Sequence, residues 1–174
     1  VLAFVNHKGG VGKTTTVQSL ATGLRRYGKG CFGKDSNGHG RLPRVLIIDL
    51  DPQACASFLF GWSETQNVGK PTVYDAPAAS RLISIEPFLN QRAMPRKALY
   101  KLLAKPLNEL SGTELADEGV TTVTEAFDYV LIDCPPAMSL LTYNALTAAT
   151  SVVLPVQLEV LATKGIAEII NAIE

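Results

Sequence analysis

The chain has 174 residues, 47% hydrophobic and 18% charged, proportions that fit one soluble globular domain with its own core and argue against a disordered tail. Sixteen Lys and Arg residues balance sixteen Asp and Glu residues, so no global field argues for or against a nucleic-acid partner. Cys31, Cys55 and Cys134 are odd in number, widely spaced and without a CxxC pair, which points away from a disulfide framework or a zinc site and suits a reducing cytoplasm. No apolar run reaches the roughly 18 residues that cross a bilayer, and no basic segment leads into an apolar stretch with a cleavage site.

Val1 to Val5 is a short apolar run that ends in a glycine loop. Thr14 to Tyr27 follows, with Val17, Leu20, Ala21 and Leu24 at helical spacing, so the order is strand, loop, helix. Gly28 is a natural helix stop. Residues 30 to 43 are rich in glycine and polar turn formers and read as a surface loop. Val45-Leu46-Ile47-Ile48 is continuously apolar and ends at Asp49, the pattern of a buried parallel strand, which makes 1 to 49 a βαβ unit.

A short helix is expected after Asp51-Pro52-Gln53, to about Phe60. A strand is expected at Ile83 to Ile85, and a helix from Lys97 that Pro106 bends or ends. Residues 111 to 125 read as a second loop. Tyr129 to Ile132 repeats the buried-strand pattern and ends at Asp133. Ser139 to Ala149 reads as helix, Ser151 to Leu154 as strand, and Lys164 to Glu174 as the start of a last helix. Strands alternating with helices predict an α/β domain built on a mainly parallel twisted sheet, flanked by helices on both faces, with its ligand at the carboxyl ends of the strands. Val1 already lies in a strand and Glu174 inside a helical pattern, so residues 1–174 are expected to be one domain forming the N-terminal part of a longer chain.

The chemistry concentrates at three strand ends. In the run Lys8-Gly9-Gly10-Val11-Gly12-Lys13-Thr14-Thr15, the glycines let the backbone turn tightly and aim several N–H groups at one anion. The helix beginning near Lys13 adds its positive end. Lys13 can set its ammonium between the outer phosphates of a nucleotide, the Thr14 hydroxyl is the expected protein ligand to magnesium, and Thr15 can donate to an inner phosphate. A strict G-x-x-x-x-G-K-[ST] loop would need glycine where this chain has His7, so the loop is a variant. A flexible glycine turn alone would not explain Gly-Lys-Thr-Thr between a strand and a helix.

Asp49 and Asp51 leave the second strand on the same side; paired acids there could bind magnesium or orient water, and Asp51-Pro52 also fits an N-cap and turn. Asp133, carried by an apolar strand, has the form of a Walker B acid that reaches the magnesium shell. His7 and His39 are expected to lack a nearby acid or thiol partner and read as exposed residues rather than metal ligands. Cys134, beside Asp133 and without a second positioned cysteine, reads as a packing residue.

Together, Asn6 to Thr15 resembles the deviant Walker A loop of the ParA/MinD ATPases, a P-loop NTPase family. Asp49-Leu50-Asp51-Pro52-Gln53, Ile132-Asp133-Cys134-Pro135-Pro136 and Pro155-Val156-Gln157 look most like the ParA/Soj partition proteins within it. The resemblance spans most of the chain. It implies that Lys8 reaches across an ATP-sandwich homodimer to the partner's nucleotide, acting in trans much as an arginine finger does. It further implies that Asp51 positions or activates the attacking water and that Asp49 is an outer partner of the metal. It also implies that Pro135 and Pro136 belong to a segment sensing the γ-phosphate. The expected cofactors are ATP and Mg2+. Non-specific DNA and a ParB-like stimulating protein are the expected partners, with a cytoplasmic, nucleoid-associated location.

The family's basic region and adenine-reading loop lie largely beyond residue 174. The loops at 30 to 43 and near 108 to 125 depart from its pattern. Three rivals share the nucleotide chemistry: a membrane-positioning ATPase of the MinD kind, a metabolic enzyme of the cobyrinate synthetase kind, and a non-catalytic nucleotide module. The Asp-Pro-Gln signature favours partition over the first two.

Overall fold

The computed structural model describes residues 1–28, 33, 37–53, 55–59, 127–157 and 162–173. The strand expected at 83 to 85, the helix from Lys97, the loop at 111 to 125 and residues 30–32 and 34–36 of the loop at 30 to 43 lie outside them. The described elements run β1 (Leu2–Phe4), α1 (Lys13–Tyr27), β2 (Val45–Asp49), α2 (Cys55–Leu59), β3 (Tyr129–Asp133), α3 (Leu140–Ala148), β4 (Ser151–Val153) and α4 (Ala162–Ile173). Expected and observed boundaries differ by one or two residues, the scale on which helix and strand ends fray.

The four strands form one parallel sheet in the order β2-β3-β1-β4. Side chains alternate across it as the pleat requires. Leu2 and Phe4 of β1, Val45 and Ile47 of β2, and Tyr129 and Leu131 of β3 face α1, whose Val17 and Ala21 are buried against Phe4 and Leu131. Ala3, Leu46, Ile48, Val130 and Ile132 face the other way. There they pack with Val5, Leu50 and Cys134 against Ala145 of α3 and Ile169 of α4. Helices therefore cover both faces, which is why these strands read as unbroken apolar runs rather than alternating ones. Full burial of a Leu, Ile, Val or Phe side chain is worth roughly 1.5–3 kcal/mol, so these two layers fix which ends of the strands lie together.

The register matters most for the site. Leu2, Ala3 and Phe4 pair with Leu131, Ile132 and Asp133, while Ile48 and Asp49 pair with Ile132 and Asp133. The residue ending β1 and the two strand-end acids thus lie abreast on three adjoining strands. The chain leaves β1 for one side of the sheet through β2 and β3, then crosses to the other side at β4. That switch point is where open α/β sheets form their ligand crevice.

Candidate functional site

The loop between β1 and α1 needs positive φ at two points, Gly10 at 73° and Gly12 at 90°, a left-handed backbone that side chains with a Cβ resist. Gly12 occupies the N-cap position of α1 and offers no side-chain cap; the first turn holds no acidic residue, and Arg25 and Arg26 sit in the last. The N–H groups and positive end of the helix dipole are therefore left to an external anion. Thr15, in that turn, is exposed.

Lys13 is only 6% exposed, and its Nζ donates to the Lys8 carbonyl at 3.2 Å. Burial lowers its pKa, while the Asp133 and Asp51 carboxylates push the other way. The ammonium is held inside the loop rather than in solvent. Weak screening there strengthens its attraction to nearby carboxylates and to any anion in the loop.

Asp133 is fully buried. Its Oδ2 accepts from the Thr14 hydroxyl at 2.7 Å, and its Oδ1 has no partner among the described residues. Burial raises its pKa to about 6, with Asp49 and Asp51 adding to the rise and the Thr14 hydrogen bond and Lys13 opposing it. A buried carboxylate oxygen without a partner is costly, and a cation between Thr14 and Asp133 would relieve it. Among the described residues no three His, Cys, Asp or Glu side chains gather to hold a metal by themselves. That donor set fits magnesium, which takes one or two protein ligands and fills its octahedron with water and phosphate.

Asp49 is placed differently. Its Oδ2 accepts from the Ser57 amide and hydroxyl of α2, each at 2.8 Å, and its Oδ1 accepts from the Asp51 amide at 3.1 Å. Asp51 in turn accepts from the Gln53 amide at 3.0 Å. It is half-buried and close enough to Lys13 and Asp133 to act on both charges.

Lys8 is exposed on the loop. Its amide donates to the Asn6 side chain at 2.9 Å, and its Nζ donates to Gln157 Oε1 at 3.0 Å. Asn6 Nδ2 donates to the Pro155 carbonyl at 2.8 Å, and Gln157 Nε2 donates to the Gly10 carbonyl at 3.2 Å. The phosphate loop is thereby tied to the chain leaving β4. Pro136 lies beside Gly9.

The structure thus gathers Lys13, Thr14, Asp49, Asp51 and Asp133 at one end of the sheet, with Lys8 on the outer side of the loop. Cys134 is buried, and burial pushes its thiol pKa well up, as a packing residue requires. His7 is exposed as expected, yet the lack of a nearby acid does not hold: Glu168 of α4 lies 4.0 Å from its Nδ1. The pairing is made by the fold across a separation no sequence window spans.

Sequence reasoning also missed Asn6 and Ser57. Asn6 had a readable signal, since Asn followed two residues later by an amide donor is an Asx turn. Ser57, eight residues from the carboxylate it holds, had none.

A family model described as an AAA domain matches residues 1–174. The sporulation initiation inhibitor protein Soj of Bacillus subtilis is 34% identical over 99% of this chain and 64% of its own length. The chromosome partitioning protein ParA of Caulobacter vibrioides is 37% identical over 100% and 62%. The chain therefore spans just under two thirds of the curated relatives it matches. Among solved structures, cobyrinic acid a,c-diamide synthase from Mycobacterium smegmatis, with bound ADP and magnesium, superposes with a TM-score of 0.65 at 33% identity, covering 99% of this chain and 65% of that one. With a phosphate loop, a strand-end acid on its hydroxyl and relatives along its whole length, the chain belongs to the AAA domain family and is of the ParA/Soj type.

Proposed function

We propose that the chain is the ATPase domain of a partition or positioning protein that binds ATP with Mg2+, dimerises on it and hydrolyses it to ADP and phosphate, slowly until a ParB-like partner accelerates the step. The observation that carries the reading is the buried Asp133 carboxylate, bonded to Thr14 through one oxygen and lacking a described partner on the other, beside the buried Lys13.

Thr14 and Asp133 are the residues that would hold magnesium, with Asp49 outside them. When bound, the ion neutralises charge on the outer phosphates and fixes their orientation. Lys13, the Gly9 to Gly12 amides and the start of α1 bind and orient the phosphate chain. Asp51 holds the attacking water and takes up its proton. Lys8, supplied by a second copy of the chain, stabilises the charge that develops on the transferred group. The dimer then binds DNA without sequence preference and lets go after hydrolysis, which places the protein in the cytoplasm on the nucleoid, moving plasmid, chromosome or other cargo. Relatives named for chromosome partitioning and for Soj, at 37% and 34% identity, support that use.

The test is retention of the full-length protein on non-specific DNA across a salt series. Binding that appears with ATP and weakens steeply with salt is the expected result; retention indifferent to ATP overturns the partition reading. The second reading, amidation of a small carboxylic acid, is favoured by the 33% identity to the cobyrinic acid diamide synthase and predicts glutamine-dependent turnover. Among the described residues no helix is long and apolar enough to cross a membrane; ATP-dependent liposome binding would favour the MinD-like alternative.

A further inference from the structure

Gln157 lies just past β4 and is not among the residues proposed to hold nucleotide or metal. Yet it sits 3.0 Å from the Lys8 ammonium through Oε1 and 3.2 Å from the Gly10 carbonyl through Nε2. Only one orientation of the amide satisfies both contacts, because the ammonium can only donate and the carbonyl can only accept. The amide is thus a two-ended bridge from the lysine to the same loop that carries it. A second strap, Asn6 to the Pro155 carbonyl, holds the loop and the segment after β4 at a fixed separation, so the bridge spans two anchored stretches of backbone.

We propose that Gln157 is a positioning residue that holds Lys8 on its own phosphate loop and so restrains it from reaching another subunit. The proposal rests on the reading of Lys8 as a residue that acts in trans. A lysine engaged in cis must exchange the Gln157 oxygen for the partner's phosphate before the two-chain site is complete. The strength of that bond therefore sets part of the threshold for dimer formation. A carboxylate at position 157 would hold the ammonium more tightly while facing the Gly10 carbonyl without a donor; a thioether of similar length would let go of both.

The experiment compares Gln157→Glu and Gln157→Met in the full-length protein. The first readout is the rate at which an amine-acylating reagent modifies Lys8 in nucleotide-free monomer, followed by peptide mass spectrometry with the other lysines of the same digest as reference. Threefold or greater changes in opposite directions are expected, slower for Gln157→Glu and faster for Gln157→Met. Rates within twofold of wild type in both variants, or shifts of the same sign in both, overturn the proposal, since simple loosening of the loop would move both together.

The second readout is the protein concentration at which ATP drives half of the chains into dimers. It should rise about tenfold for Gln157→Glu and fall for Gln157→Met. If labelling splits as expected while these midpoints stay put and Lys8→Ala dimerises normally, the clamp stands and the trans reading of Lys8 falls. If Lys8→Ala cannot dimerise yet labelling is unchanged in both Gln157 variants, the clamp falls and the trans reading stands.

Discussion

Asp49 and Asp133 end neighbouring parallel strands in register, after the near-identical runs Val-Leu-Ile-Ile and Tyr-Val-Leu-Ile, yet the fold treats them as opposites. Asp49 accepts three hydrogen bonds from Ser57 and the Asp51 amide. Among the described residues, Asp133 has the Thr14 hydroxyl on one oxygen and no partner on the other. The difference lies in the residues on the C-terminal side of each acid. After Asp49 the chain turns back through Asp51 and α2, bringing amides and a hydroxyl to the carboxylate. After Asp133 come Cys134, whose amide is spent on the Phe4 carbonyl at 3.3 Å, and two prolines, which have no N–H to give. One acid is solvated by its own chain; the other keeps an oxygen without a described partner, where the proposed cation would sit.

The largest test of this contrast is catalytic. Asp133→Asn should lower ATP turnover by about 10²–10³-fold, and Lys13→Ala at least as much through lost nucleotide binding, because preorganised charge at the transferred phosphate supplies terms of that size. Turnover assays with separate nucleotide titration would distinguish the two. Equal loss in Asp49→Asn would erase the distinction between the acids.

Stability without nucleotide should move in opposite directions. Asp49→Ala removes the acceptor for three donors and should cost about 2–4 kcal/mol, whereas Asp133→Asn removes a buried charge and should gain roughly 1–3 kcal/mol. Urea unfolding of the two variants reads both signs in one experiment.

The acid titration carries the same contrast. The Asp133 pKa is raised from 3.8 to about 6, so the folded protein binds this proton more tightly than the unfolded chain. Its ionised form opposes folding by about 3 kcal/mol. That penalty is complete above pH 6, shrinks as pH falls from about 6 to 3.8, and is absent below. Against Asp133→Asn, nucleotide-free wild type should therefore become relatively more stable over that window. A flat difference would mean that the carboxylate is better solvated than its burial implies.

The smallest effect belongs to an acid at the other end of β3. Asp128 takes both arms of the Arg41 guanidinium, with the contact to its Oδ2 at 2.6 Å, and the Arg44 amide at 2.7 Å. The Arg41 hydrogen bond chiefly lowers its pKa to about 2. Here the sign reverses: stability is present above the unfolded value near 3.8 and is lost as pH falls through 2. Near the surface it should amount to about 1 kcal/mol or less, read as a small drop in melting temperature for Asp128→Asn at neutral pH.

The strands and the loop were legible because their signals are local. Unbroken apolar runs mark strands buried on both faces, and Gly10 and Gly12 stand where positive φ is needed. The three acids could be placed at strand ends from the same pattern. What the pattern could not separate was Asp49 from Asp133, since the donors that solvate one and bypass the other depend on how the chain turns after each strand. The bridge from Lys8 to Gln157, 149 residues apart, and the pairing of His7 with Glu168 join distant parts of the sequence. Only the parallel register of β1 beside β4 brings them together.

That register has a consequence for how the protein is made. Of the four described strands β1 is synthesised first, but it sits between β3 and β4, so neither of its edges has its partner until residues 129–133 and 151–153 have been synthesised. At about 5–20 residues per second this strand waits roughly 6–26 seconds with both edges open. The phosphate loop hangs on that strand and cannot close earlier. Nucleotide binding by a nascent chain would thus mark the moment β1 has both its neighbours, and the waiting strand is the stretch a chaperone would have most reason to cover.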